Sequence, residues 1–83
     1  MNTNEICEIY SKKGINIKIW EEEKIIFIDG NSESLEFLGK LFLSMANSFD
    51  NKDCGFQISP NGAGKIFFDS DSKKGLYIHR NKD

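Results

Sequence analysis

Apolar and polar positions follow two different periods along this chain, and the switch between them marks its elements. From Ile15 to Trp20 the order Ile-Asn-Ile-Lys-Ile-Trp alternates strictly, which is the period of a half-buried strand. Glu-Ile-Cys-Glu-Ile-Tyr at 5–10 is read as a strand before it, and Ser11-Lys12-Lys13-Gly14 as the intervening turn. Ile25-Ile26-Phe27-Ile28-Asp29 is a third strand, apolar on both faces, reached through the charged connection Glu21-Glu22-Glu23-Lys24. Such short links predict antiparallel hairpins.

The period then changes. Leu35, Leu38, Phe42, Met45 and Phe49 recur at spacings of three and four, flanked by Leu41 and Ala46, and form one apolar stripe of a helix. Glu36, Gly39, Lys40, Leu43, Ser44 and Asn47 fall on its other side. Asn31 or Ser32 can cap this helix and Glu33 suits its first turn, which predicts a span of 32–48. Three more strands are expected at 55–59, 65–69 and 75–79. The turn compositions Pro60-Asn-Gly-Ala-Gly64 and Ser70-Asp-Ser-Lys-Lys74 separate them. The fold class is therefore α+β in the order βββ-α-βββ: an antiparallel sheet of about six short strands with one amphipathic helix on one face. Residues 1–83 make one domain, with 1–4 and 80–83 expected to fray.

A single helix covers only one side of a sheet. Alternation turns Ile15, Ile17, Ile19, Phe56, Ile58, Ile66, Phe68, Leu76 and Ile78 toward it. The opposite side then carries Asn16, Lys18, Trp20, Gln57, Lys65, Phe67, Tyr77 and His79, joined by two residues of Ile25–Ile28. A face meeting only water has no use for so many rings, and large exposed apolar patches mark interaction surfaces. A sheet curled on itself would hide the same rings.

Composition narrows the class without naming a partner. Thirteen acids against eleven Lys and Arg give a formal charge of −2, which supplies no general field for nucleic acid or an anionic membrane. The balance is uneven: residues 1–50 hold nine acids and five bases, and residues 51–83 four acids and six bases. No stretch approaches the roughly 18 apolar residues of a membrane span, and no basic-then-apolar leader opens the chain. Cys7 and Cys54 fit no zinc or redox spacing and are read as ordinary thiols of a reducing cytoplasm.

The strings that resemble catalytic motifs fail on inspection. Gly62-Ala-Gly-Lys65 lacks the first glycine of a phosphate loop, where Ser59 stands, and the hydroxyl after the lysine, where Ile66 stands. His79 is the sole histidine, so no histidine pair exists for a metal. Asp69-Ser-Asp71 begins like a calcium loop but continues into Lys73 and Lys74. No pair of carboxylates stands out for acid–base work. The expectation is a binding protein, neither enzyme nor metalloprotein, with no cofactor.

Strands followed by a helix of the form Ser-x-Glu-x-Leu-x-x-Leu, here within Asn31 to Ala46, then short strands closing on Leu76-Tyr-Ile-His-Arg80, resemble the immunity protein 32 family over roughly 15–80. The strand Gly55–Ser59 departs from that pattern in lacking a histidine. The resemblance implies a small cytoplasmic bacterial protein that binds and neutralises a cognate toxin domain, and it transfers no individual residue role. On that reading the partner-binding candidates are Trp20, Glu21, Glu22, Glu23, Phe67, Asp69, Asp71 and Tyr77. The acids among them would suit a basic toxin and speed association. Two alternatives stay open. One is a nucleic-acid or small-ligand platform, with Trp20, Phe67 and Tyr77 stacking bases beside Lys18 and Lys65. The other is a homodimer that uses the same face.

Overall fold

A computed structural model describes residues 1–47 and 54–81. The element order is α1 (Thr3–Tyr10), β1 (Lys18–Glu22), β2 (Ile25–Asp29), α2 (Ser32–Ala46), β3 (Cys54–Ile58), a 3-10 turn (Lys65–Phe67) and β4 (Leu76–Arg80). The α+β class is as expected. The six-stranded sheet is not: β1 pairs with β2 and β3 with β4, each antiparallel, as two separate two-stranded sheets.

Two of the expected strands are replaced, each for a local reason. The segment 5–10 is helical because Asn2 and Glu5 form a reciprocal capping box, Asn2 accepting from the Glu5 N–H at 2.9 Å and Glu5 from the Asn2 N–H at 3.0 Å. Ile6 and Tyr10, four apart, then share its buried face. The first residues, expected to fray, are held by this cap and by Ser44 Oγ, which donates to the Met1 carbonyl at 3.0 Å. Arg80, also expected to fray, ends β4.

At 65–69 the chain forms the 3-10 turn, entered through Gly64 at φ 82°. A Cβ there would sit 2.7 Å from Ile58 Cβ, so both the left-handed backbone and the close approach require glycine. The turn exchanges the expected faces of its residues: Phe67 is 4% exposed and Ile66 is 66% exposed.

The anticipated helix ends at Ala46 rather than 48, which lies outside the described residues along with the expected stripe member Phe49. Asn31 caps it, its side chain accepting from the Ser34 N–H at 2.8 Å. Its buried line is Ser34, Phe37, Leu38, Leu41 and Met45, whereas Leu35 and Phe42 are exposed. The face is turned because α1 packs along the flank that carries Phe37 and gives that ring an apolar partner in Tyr10, centroids 5.3 Å apart.

The core joins both helices to the first hairpin. Ile15, Ile17 and Ile19 are buried as alternation predicts, with Ile6, Tyr10, Phe37, Leu38, Leu41, Ile58 and Phe67. Phe37 is its centre, tilted against Phe67 at 4.5 Å on one side and Tyr10 on the other. Each such side chain contributes about 1.5–3 kcal/mol by leaving water. Phe56, Phe68, Leu76 and Ile78 are half-buried against this cluster, so most of the expected inner set does face inward.

The outer edge of β1 is held by the segment after the 3-10 turn. The Ile17 N–H donates to the Phe67 carbonyl at 2.9 Å, the Asp69 N–H to the Ile17 carbonyl at 2.8 Å, and the Lys73 N–H to the Ile19 carbonyl at 3.1 Å. Ser72 Oγ accepts from the Ile19 N–H at 3.0 Å. These bonds, with a parallel bridge between Ile17 and Phe68, join the backbones of the two halves of the chain, whose side chains share the core. Among the described residues no helix is long and apolar enough to cross a membrane.

Candidate functional site

The β1–β2 hairpin positions the surface of most interest. Its pairing runs Lys18 to Asp29, Trp20 to Phe27 and Glu22 to Ile25, so these six side chains share the face turned away from the core. Trp20 and Phe27 stack across the strands, centroids 5.2 Å apart and planes 11° apart. Lys18 Nζ lies 5.2 Å from the Trp20 ring, within cation–π range, and Trp20 Nε1 donates to Glu22 Oε1 at 3.2 Å. Lys18, Trp20, Glu22, Asp71 and Lys73 together line a shallow depression of about 360 Å3.

The second strand of this hairpin is the unusual part. All five residues of β2 are exposed except Phe27, which is half-buried, and Ile25, Ile26 and Ile28 are 58%, 54% and 42% exposed. Three of these four consecutive apolar residues therefore stand in solvent, on both faces, the opposite of what such a run normally signals.

The tip is strained. Glu23 and Lys24 hold φ of 49° and 68°, the left-handed values that a two-residue hairpin turn of type I′ demands at both centres. Asn-Gly usually fills such a turn, and an ordinary side chain there costs about 1–2 kcal/mol. Two charged residues are kept at an exposed position that resists them, a pattern associated with functional sites.

The structure gathers some of the residues named from sequence and separates others. Trp20, Glu22 and Asp71 share the depression, with Glu23 at the hairpin tip. Glu21 points to the other face and lies 3.7 Å from Lys74 in an exposed ion pair. Asp69 is a turn residue, its Oδ1 accepting from the Asp71 N–H at 2.8 Å. Phe67, expected on the outer face, is core. Tyr77 is 61% exposed but belongs to β4, where it stacks on His79 at 6.3 Å and lies over Gly55. The base-stacking trio of Trp20, Phe67 and Tyr77 is therefore not assembled: one ring is buried and the other two sit on different hairpins.

Sequence reasoning passed over Lys73 and the particular exposure of β2. Lys73 reaches the depression because its own N–H bonds Ile19, a long-range contact with no local signal.

Elsewhere the polar groups are committed to the fold. Ser34, the one buried polar side chain among the described residues, accepts from the Asn16 N–H at 2.9 Å and bonds Asn31 Oδ1 at 2.6 Å. Asn31 Nδ2 in turn donates to the Gly14 carbonyl at 2.9 Å, so this network ties the start of α2 to the approach to β1. Tyr10 Oη donates to Glu36 and holds that carboxyl below its usual range, helped by the Lys40 ammonium at 3.6 Å. Burial pushes the Cys7 thiol up, which disfavours the reactive thiolate. Among the described residues no three His, Cys, Asp or Glu side chains group as metal ligands.

A scan against protein-family models and searches of curated proteins and solved structures found no match to this chain.

Proposed function

We propose that this chain is a non-catalytic protein-binding module, and that its partner is a bacterial toxin domain which it neutralises by covering it in the cytoplasm of the producing cell. The observation that carries the binding reading is the outward face of the β1–β2 hairpin. Trp20, Phe27 and Ile25 form an apolar strip there, bordered by Lys18, Glu22, Asp71 and Lys73. Stacked aromatics ringed by charges of both signs are the composition of a contact centre with a polar rim. The strained Glu23-Lys24 tip adds support, since its side chains reach solvent at a conformational cost that the fold itself does not require. The choice of a toxin domain rests on the resemblance of residues 15–80 to the immunity protein 32 family.

Co-expression with the toxin domain encoded beside it tests the proposal. The expected result is restored growth and a complex that co-purifies, both lost in Trp20→Ala. Unchanged toxicity with the folded wild-type protein present would refute the neutralising role. Retention of full protection by Trp20→Ala and Ile25→Ser together would refute the site.

A further inference from the structure

We infer that the free edge of β2 pairs antiparallel with the β2 of a second copy of this chain, joining two hairpins into one four-stranded sheet. The first observation is the direction of the backbone groups. Both groups of Ile19 bond the segment 72–74, so in the alternating pattern of an antiparallel strand it is Lys18, Trp20 and Glu22 that bond β2. Their partners Asp29, Phe27 and Ile25 face inward to β1. The N–H and C=O of Ile26 and Ile28 consequently point out along the open edge, and among the described residues they have no backbone partner.

Between Lys24 and Asp29, which flank it, the apolar run Ile25–Ile28 carries none of the usual protections. Natural edge strands are blunted by proline, a bulge or an inward-pointing charge, whereas β2 is Ile-Ile-Phe-Ile followed by Asp, in unbroken register with β1.

The charges select the occupant. Lys24 precedes the strand and Asp29 ends it. Antiparallel self-pairing brings the lysine end of each copy to the aspartate end of the other, while parallel pairing would place like beside like. One register satisfies every outward group of the strand: Ile26 opposite Ile28 of the second copy and Ile28 opposite its Ile26, with the two-fold axis between the paired Phe27 rings. On the outward face this sets two Trp20–Phe27 stacks side by side. On the other face it packs four exposed isoleucines laterally against one another. The interface is measured on the free chain and does not depend on the toxin reading, because the outward face stays open for another partner.

Sedimentation of the full chain from micromolar to near-millimolar concentration tests this. The expected result is a monomer–dimer equilibrium. Ile26→Lys and Ile28→Lys, both at exposed positions, should each weaken it by about 100-fold, since every substitution enters twice across the axis. Circular dichroism and melting temperature should stay near wild type and show that these variants fold. Lys24→Asp and Asp29→Lys should each weaken the dimer, and the double variant should regain it. A monomer throughout the range, or a dimer indifferent to Ile26→Lys and Ile28→Lys, would overturn the inference. So would a monomer whose Ile26→Lys variant loses a toxin domain that Trp20→Ala still binds, because the edge would then belong to that partner.

Discussion

The two hairpins have the same plan, a pair of five-residue antiparallel strands, and opposite relations to the core. In β3–β4 the side chains alternate in the ordinary way: Ile58 is buried, Phe56, Leu76 and Ile78 are half-buried, and Gln57, Tyr77 and His79 stand in solvent. In β1–β2 the alternation holds only for the first strand, where Ile19 is buried and Lys18 and Trp20 flank it. The second strand is the most uniformly apolar run in the hairpins and the least covered. Hydrophobicity alone therefore does not place a strand in the interior. Position relative to the helices does, and what is left uncovered becomes surface with a use.

The largest expected effect contrasts neighbours in the segment that closes the core. Phe67→Ala should cost about 3–5 kcal/mol, because the ring fills space against Phe37, while Ile66→Ala should stay within about 0.5 kcal/mol. Urea denaturation of both variants measures this, and equal losses would contradict a turn that buries Phe67 and exposes Ile66. The hairpin contrast itself is next. Ile19→Ala should cost about 2–5 kcal/mol, and Ile26→Ala, compared at a concentration where the chain is monomeric, about 0.5 kcal/mol or less. Similar values would show that β2 is covered after all.

Ser34→Ala removes the acceptor of the part-buried Asn16 N–H and should cost about 0.5–1.5 kcal/mol, loosening the start of α2 from the approach to β1. Lys24→Gly should instead gain about 1 kcal/mol by relieving the left-handed backbone at the hairpin tip. A loss there would argue that the lysine side chain supports the fold. The smallest effect is a pH dependence. Glu36 is depressed by its hydrogen bond from Tyr10, so its contribution is present above the ordinary carboxylate range and fades as pH falls through its lowered value. In Tyr10→Phe the Glu36 titration, followed by NMR, should move up toward the ordinary value. The stability gap to wild type should then narrow in acid.

Legibility followed the range of the interactions. The cap at Asn31, the alternation of Ile15, Ile17 and Ile19, and the strands at 25–29 and about 55–59 and 75–79 were readable because each depends on residues a few positions apart. The helix at Thr3–Tyr10 was also readable in principle, through Asn2 with Glu5 and Ile6 with Tyr10, but a run of alternating apolar residues competes with it over so short a span. The segment 65–69 misleads more deeply, since its strand-like pattern yields to a glycine-led turn that only packing against Ile58 enforces. Of the candidate site, Trp20, Glu22 and Asp71 come together, whereas Phe67 and Tyr77 do not join them.

By itself the sequence determined the α+β class, the first hairpin, the amphipathic α2 and the burial of Ile15, Ile17 and Ile19, because local periods and caps encode these. Only the tertiary structure decided which flank of α2 would be buried, that two small sheets would replace one, and that β2 would be left in solvent. Those outcomes follow from where α1 and the segment 67–74 dock, and docking sums contacts between residues far apart in the chain, which no local pattern records.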